Sequence, residues 1–67
     1  MREEIEKLKH GECFIVPEGD YGKAEVWRIN DVFIVFEIPL FGGEPIYSNS
    51  YHFSRIEDII YEIISFN

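Results

Sequence analysis

Few side chains in this sequence can attack, shuttle a proton or bind a metal: one cysteine, two histidines and thirteen acids. Nucleophilic chemistry needs Cys13 or a serine beside a base, with a third group orienting that base. His10 stands three residues before Cys13, but a helix-to-strand break is predicted between them, and no oxyanion-hole glycine motif accompanies the pair. Between Glu12 and Phe14 on a strand, Cys13 reads as a small packing residue. His10 ends the first predicted helix, where an imidazolium favours the helix dipole. His52 ends the fourth predicted strand, on the face opposite its tyrosines. Neither histidine has partners in the tight spacing of an HExxH-type metal site.

The carboxylates are equally unpromising as a reactive pair, which needs two acids held together in a partly dry cleft. Glu25 and Glu37 come from facing strands, but the hairpin register derived below sends them to opposite sides of the sheet. Asp58 and Glu62 lie one helical turn apart on the side expected to face water. Glu18 and Asp20, in a turn with two glycines, lack the alternating oxygen ligands and distal glutamate of an EF-hand loop. Phe41-Gly42-Gly43-Glu44 has the glycines of a phosphate cradle without lysine, serine or threonine in Walker spacing, and Glu44 would repel a phosphate. No catalytic, cofactor-binding or metal-binding residue is assigned, and the expectation is a protein that is not an enzyme.

The elements that would position any site follow from periodicity. Met1, Ile5 and Leu8 share one face of a helix over residues 2–10, with Glu3 and Lys7 as an i,i+4 pair and Gly11 as its C-terminal cap. From Glu12 the period becomes two: 13–16 is a short strand closed by Pro17, and 17–23 is a turn. Residues 24–29 and 32–38 are strands rich in β-branched and aromatic side chains, joined by Asn30-Asp31, both tolerant of left-handed backbone.

In that hairpin Ile29 faces Val32, Trp27 faces Ile34 and Glu25 faces Phe36 on one side. Arg28 faces Phe33, Val26 faces Val35 and Ala24 faces Glu37 on the other. The Trp27 side is expected to be the core. After a Pro- and Gly-rich loop over 39–45, residues 46–53 alternate as a fourth strand, with Tyr47, Tyr51 and Phe53 on one face. Ser54-Arg55-Ile56-Glu57 is a capping box opening a last helix. Its stripe is Ile56, Ile59, Ile60, Ile63 and Ile64, while Asp58, Tyr61, Glu62 and Ser65 face out. The fold class is α+β: α-β-β-β-β-α, an antiparallel three- to four-stranded meander with two helices packed on one face, in a single small domain over 1–67.

Composition narrows the function classes. The chain has 67 residues, of which 46% are hydrophobic, and carries a net charge of −7. Scaling laws for a chain of this size give a folded surface of roughly 4,400 Å², about 60% of the unfolded surface being removed from water. One cysteine cannot close an internal disulfide, and residues 1–9 are charged, with no apolar region of a secretory signal, so a reducing cytoplasmic setting is expected. The longest apolar run, 32–36, is far below the ~20 residues of a membrane helix. Acids outnumber bases thirteen to six, which disfavours phosphate backbones, and aromatics such as Phe33, Tyr47 and Tyr51 have no electropositive groove in which to stack bases. The excess is uneven: residues 1–30 are net −2, while 31–67 carry six acids against Arg55 alone, net −5.

Surface is what remains. Val26, Phe33 and Val35 on the expected outer sheet face, with Leu40 and Phe41 from the loop, would form an apolar patch rimmed by Arg28, Glu37 and Glu44. The predicted function is a non-enzymatic protein–protein interaction module, a small intracellular adaptor or inhibitor, with self-association through the outer face as its simplest version. Val26, Arg28, Phe33, Val35, Leu40 and Phe41 are the expected contact residues. One alternative is an acidic mimic of nucleic acid presenting Glu44, Glu57, Asp58 and Glu62 to the basic groove of a DNA- or RNA-handling protein. The other is a small enzyme subunit using His52 with Tyr51 or Glu44. Neither direct nucleic-acid binding, nor a membrane, nor a cofactor is expected. The shortness and acidity are also in the style of phage or mobile-element proteins, though no motif carries that reading.

Overall fold

The structure, a computed structural model, describes residues 1–16, 23–39 and 41–66. Helix α1 (Arg2–Glu6) is followed by strands β1 (Cys13–Val16), β2 (Ala24–Ile29), β3 (Val32–Glu37) and β4 (Ile46–His52), and then by helix α2 (Ile56–Ile64). The four strands form one sheet in the order β1-β2-β3-β4, every neighbour antiparallel, so the chain is the α-β-β-β-β-α meander expected from its pattern. Its total surface is 4430 Å².

The central hairpin has the register that the two-residue connection dictates. Ile29 pairs with Val32, Trp27 with Ile34 and Glu25 with Phe36; Arg28 pairs with Phe33, Val26 with Val35 and Ala24 with Glu37. Asn30 supplies the left-handed residue (φ 52) that lets the chain reverse in two steps. Its N–H donates to His10 Nδ1 at 3.0 Å, so the connection after α1 braces the turn. Gly11 (φ 85) belongs to that connection and does not cap the helix; its N–H donates to the Arg28 carbonyl at 2.7 Å. Helix α1 accordingly stops at Glu6, four residues short of the predicted end, and Arg2 with Glu6 forms its ion pair in place of Glu3 with Lys7.

Both helices cover one face of the sheet, and it is the face opposite to the one expected. Val26 (0% exposed), Phe33 (1%) and Val35 (0%) make the core with Ile5, Val16, Ala24, Ile59 and Ile63. The contact role given to Val26, Phe33 and Val35 on sequence grounds is therefore corrected: these side chains lie under the helices. The reason is in the charges and volumes. Glu25 sits in the Trp27 face beside Phe36, where burial would strand a carboxylate. On the other face the charged partners, Arg28 and Glu37, fall near strand ends, leaving Val16, Ala24, Val26 and Val35 as an apolar floor of small side chains onto which helices can settle.

Two further local expectations are revised. Arg55, without a side-chain cap, precedes α2; Ser54 instead meets His52, and Glu57 meets Arg2. Strand β4 does not alternate throughout, because Val35 pairs with Asn49 whereas Phe36 pairs with Tyr47, leaving Ser48 as one extra residue. That bulge puts Tyr51, opposite Phe33, on the helix side and Tyr47, opposite Phe36, on the open side.

Candidate functional site

The uncovered face of the sheet is built from the other half of each strand. β1 contributes Cys13 and Ile15, β2 Glu25, Trp27 and Ile29, β3 Val32, Ile34 and Phe36, and β4 Tyr47, Ser50 and His52. Ile15 is 56% exposed and Tyr47 59%, whereas Trp27, Ile34 and Phe36 shelter one another and are half-buried. Phe36 and Tyr47 meet edge to face, with ring centroids 6.2 Å apart. A sheet apolar on both sides is the pattern of a strand set with layers on both faces, yet among the described residues both helices lie on one side.

At the middle of this face Glu25, Trp27, Ile29, Ile34, Phe36, Glu44 and Pro45 line a shallow groove of about 580 Å³. The indole N–H of Trp27 donates to Glu25 Oε1, which fixes both the ring plane and the carboxylate at the groove wall. Glu44 and Pro45 enter from the loop that follows β3. Among the described residues that line the groove there is no lysine or arginine.

The residues singled out by sequence do not assemble into one site. Leu40 lies outside the described residues, as do Glu18 and Asp20. Phe41 is fully exposed on the loop. Arg28 is on the helix side, its guanidinium 5.2 Å from the Phe33 centroid and 5.1 Å from that of Phe53, with Nε donating to the Asn30 carbonyl. It caps the end of the core and does not rim the open face.

The four acids assigned to a nucleic-acid-like surface are dispersed. Glu57 accepts from Arg2, Asp58 Oδ2 accepts from Arg55 Nε at 2.8 Å, and Glu44 stands at the groove on the far side of the sheet. Glu62, expected to face out, turns toward β4, where Ser48 Oγ donates to Oε2 at 2.6 Å and the Tyr51 hydroxyl to Oε1. The Glu62 carboxylate beside it, with some burial, pushes the Tyr51 phenol above its ordinary range. The Arg2 guanidinium is likewise raised by its hydrogen bonds to Glu57 and Glu6.

Groups with possible chemistry are equally scattered. His52 Nδ1 and Ser54 Oγ are 2.9 Å apart, a nucleophile–base distance, but the backbone N–H of Ser54 also reaches Nδ1 at 3.3 Å. That is the signature of a local turn, and among the described residues no carboxylate orients the imidazole. Tyr51 faces the helices while His52 faces the open side, so those two cannot cooperate. Cys13 is exposed on the open face, opposite Trp27, and is not the packing residue expected. Among the described residues no three histidine, cysteine or acidic side chains converge as a metal site would require, and no helix is long and apolar enough to cross a membrane.

The groove was missed on sequence grounds because its aromatic residues were assigned to the core. The signal that locates it is Glu25: a carboxylate two residues before Trp27 marks that face as the solvated one. Fold and groove together define a small α+β domain with one helix-covered face and one open aromatic face. Neither a family model, nor a curated protein, nor a solved structure matches this chain.

Proposed function

We propose that the protein is a non-enzymatic protein–protein interaction module, an adaptor or inhibitor, that engages its partner through the open face of the sheet. One observation carries this reading: Ile15, Trp27, Ile29, Val32, Ile34, Phe36 and Tyr47 share the face that no helix or strand among the described residues covers. Contiguous apolar surface of this kind marks interaction sites on small soluble domains. A half-buried tryptophan at its centre is the residue type that most often dominates binding energy.

The test is affinity capture from the source cell with three baits: the native protein, Trp27→Ser combined with Ile34→Ser, and Tyr61→Ser. Tyr61 is exposed on α2, across the molecule from the groove. Proteins retained by the native and Tyr61→Ser baits and lost with the double variant support the reading. Identical capture by all three overturns it.

A further inference from the structure

The groove carries a charge signature that narrows what can occupy it. Its floor is aromatic and aliphatic, and its only charged lining residues among those described are Glu25 and Glu44. Glu25 accepts from the indole N–H of Trp27, which places its carboxylate at the groove wall beside the ring. A ligand that buries Trp27 and Phe36 must also bring these two carboxylates out of water. That is costly unless the ligand supplies a cation at the same point.

A second copy of this chain answers that requirement poorly. In a two-fold contact the same patch meets itself, so four carboxylates would converge on one apolar centre. A segment with apolar residues and an intervening lysine or arginine answers it well, since the cation can sit between Glu25 and Glu44 while its stem lies over the Trp27 or Phe36 ring. The opposite face of the same sheet indicates the geometry: there α2 lays Ile59 and Ile63 onto the strands, and a sheet of this width accepts a helix on its second face in the same manner.

We propose that the open groove takes a basic amphipathic helix of another protein, with its apolar stripe on Trp27, Ile34 and Phe36 and a cationic side chain between Glu25 and Glu44. The proposal rests on the reading of the open face as an interaction surface and adds the chemistry of the occupant.

Synthetic peptides of about 14 residues, four helical turns, test it. One places leucine at i, i+3, i+4 and i+7 with lysine at the positions between, and a second replaces every lysine with glutamine. Binding is read by calorimetry and by the emission of Trp27, the one tryptophan of the chain. The lysine peptide is expected to bind and shift that emission to the blue. Glu25→Gln with Glu44→Gln, which keeps an acceptor for the indole, is expected to weaken it about tenfold. Glu57→Gln with Asp58→Asn removes the same charge from α2 and is expected to change affinity less than about twofold.

Equal weakening by the two double variants would reduce the effect to net charge and overturn the proposal. Equal binding of the glutamine peptide, or a dimer in light scattering that is lost with Trp27→Ser, would also overturn it while leaving the open-face reading standing. If the lysine peptide leaves Trp27 unperturbed the proposal fails, and the capture experiment with Trp27→Ser and Ile34→Ser decides separately whether the open-face reading fails with it.

Discussion

The Tyr51 hydroxyl donates to the carboxylate of Glu62, and through that bond the edge strand β4 is fastened to helix α2. Ser48 donates to the other oxygen of the same carboxylate, so one acid ties both the bulge and the limb that follows it to the helix. Tyr51→Phe removes the donor while keeping the ring, and is expected to lower unfolding free energy by about 1 kcal/mol, a typical value for a part-buried hydrogen bond, read from the urea midpoint.

The same bond predicts an alkaline dependence. The folded state raises the Tyr51 phenol above its ordinary pKa because the neutral hydroxyl is the form that donates to Glu62. The contribution is thus fully present below about pH 10, the ordinary phenol value, and is lost as pH rises through the native titration. The stability difference between the native protein and Tyr51→Phe should shrink across that window. Parallel stability curves would show that the bond is absent in solution.

Adjacent residues of β3 should differ sharply in cost. Val35→Ala opens a cavity in the core and is expected to cost about 2 kcal/mol, whereas Ile34→Ala, on the open face, should cost less than half as much. The reverse order in denaturant unfolding would mean that the helices cover the other side.

The hairpin turn makes a fourth prediction. With Asn30 in the left-handed region, Asn30→Gly should leave stability unchanged or raised, while Asn30→Val should cost about 1–2 kcal/mol. His10→Ala removes the acceptor of the Asn30 amide, so exchange of that amide should quicken while exchange in mid-β3 stays constant.

Cys13 offers a chemical check on the open face. Its exposed thiol lies across from Trp27, so a thiol reagent should modify it in native buffer at a rate close to that of the unfolded chain. A nitroxide placed there should quench Trp27 emission. Protection of the thiol until denaturant is added would contradict an uncovered face.

The fold was legible because its decisive signals are local. The two residues between Ile29 and Val32 leave one hairpin register, and that register is the one found; the isoleucine spacing after Arg55 places Ile59 and Ile63 in the core. The sidedness was not legible in the same way. Both faces of β2 and β3 are apolar enough to be core, and the largest side chains, Trp27 and Phe36, favoured the wrong one. Volume misled where charge position informs: the small residues Ala24, Val26 and Val35 admit helices, and Glu25 in the other face resists them. Hydrogen bonds across long separations, such as Asn30 to His10 or Ser48 to Glu62, have no counterpart in periodicity, so the roles of His10 and Glu62 emerged only with the structure.

The extra residue at Ser48 makes β4 a phase shifter. Upstream of it the strand shows Tyr47 to the open face; downstream it shows Tyr51 to the helices. Because side-chain direction in a strand has period two, closing the bulge with Ser48 kept, so that Ser48 and not Tyr47 stood opposite Phe36, would roll Tyr47 beneath the helices and strip Phe36 of its edge-on neighbour. The area of aromatic surface on the open face is therefore governed by the pairing of the edge strand as well as by residue type, and whatever holds or releases the bulge in β4 reshapes that face without altering one side chain that lines its centre.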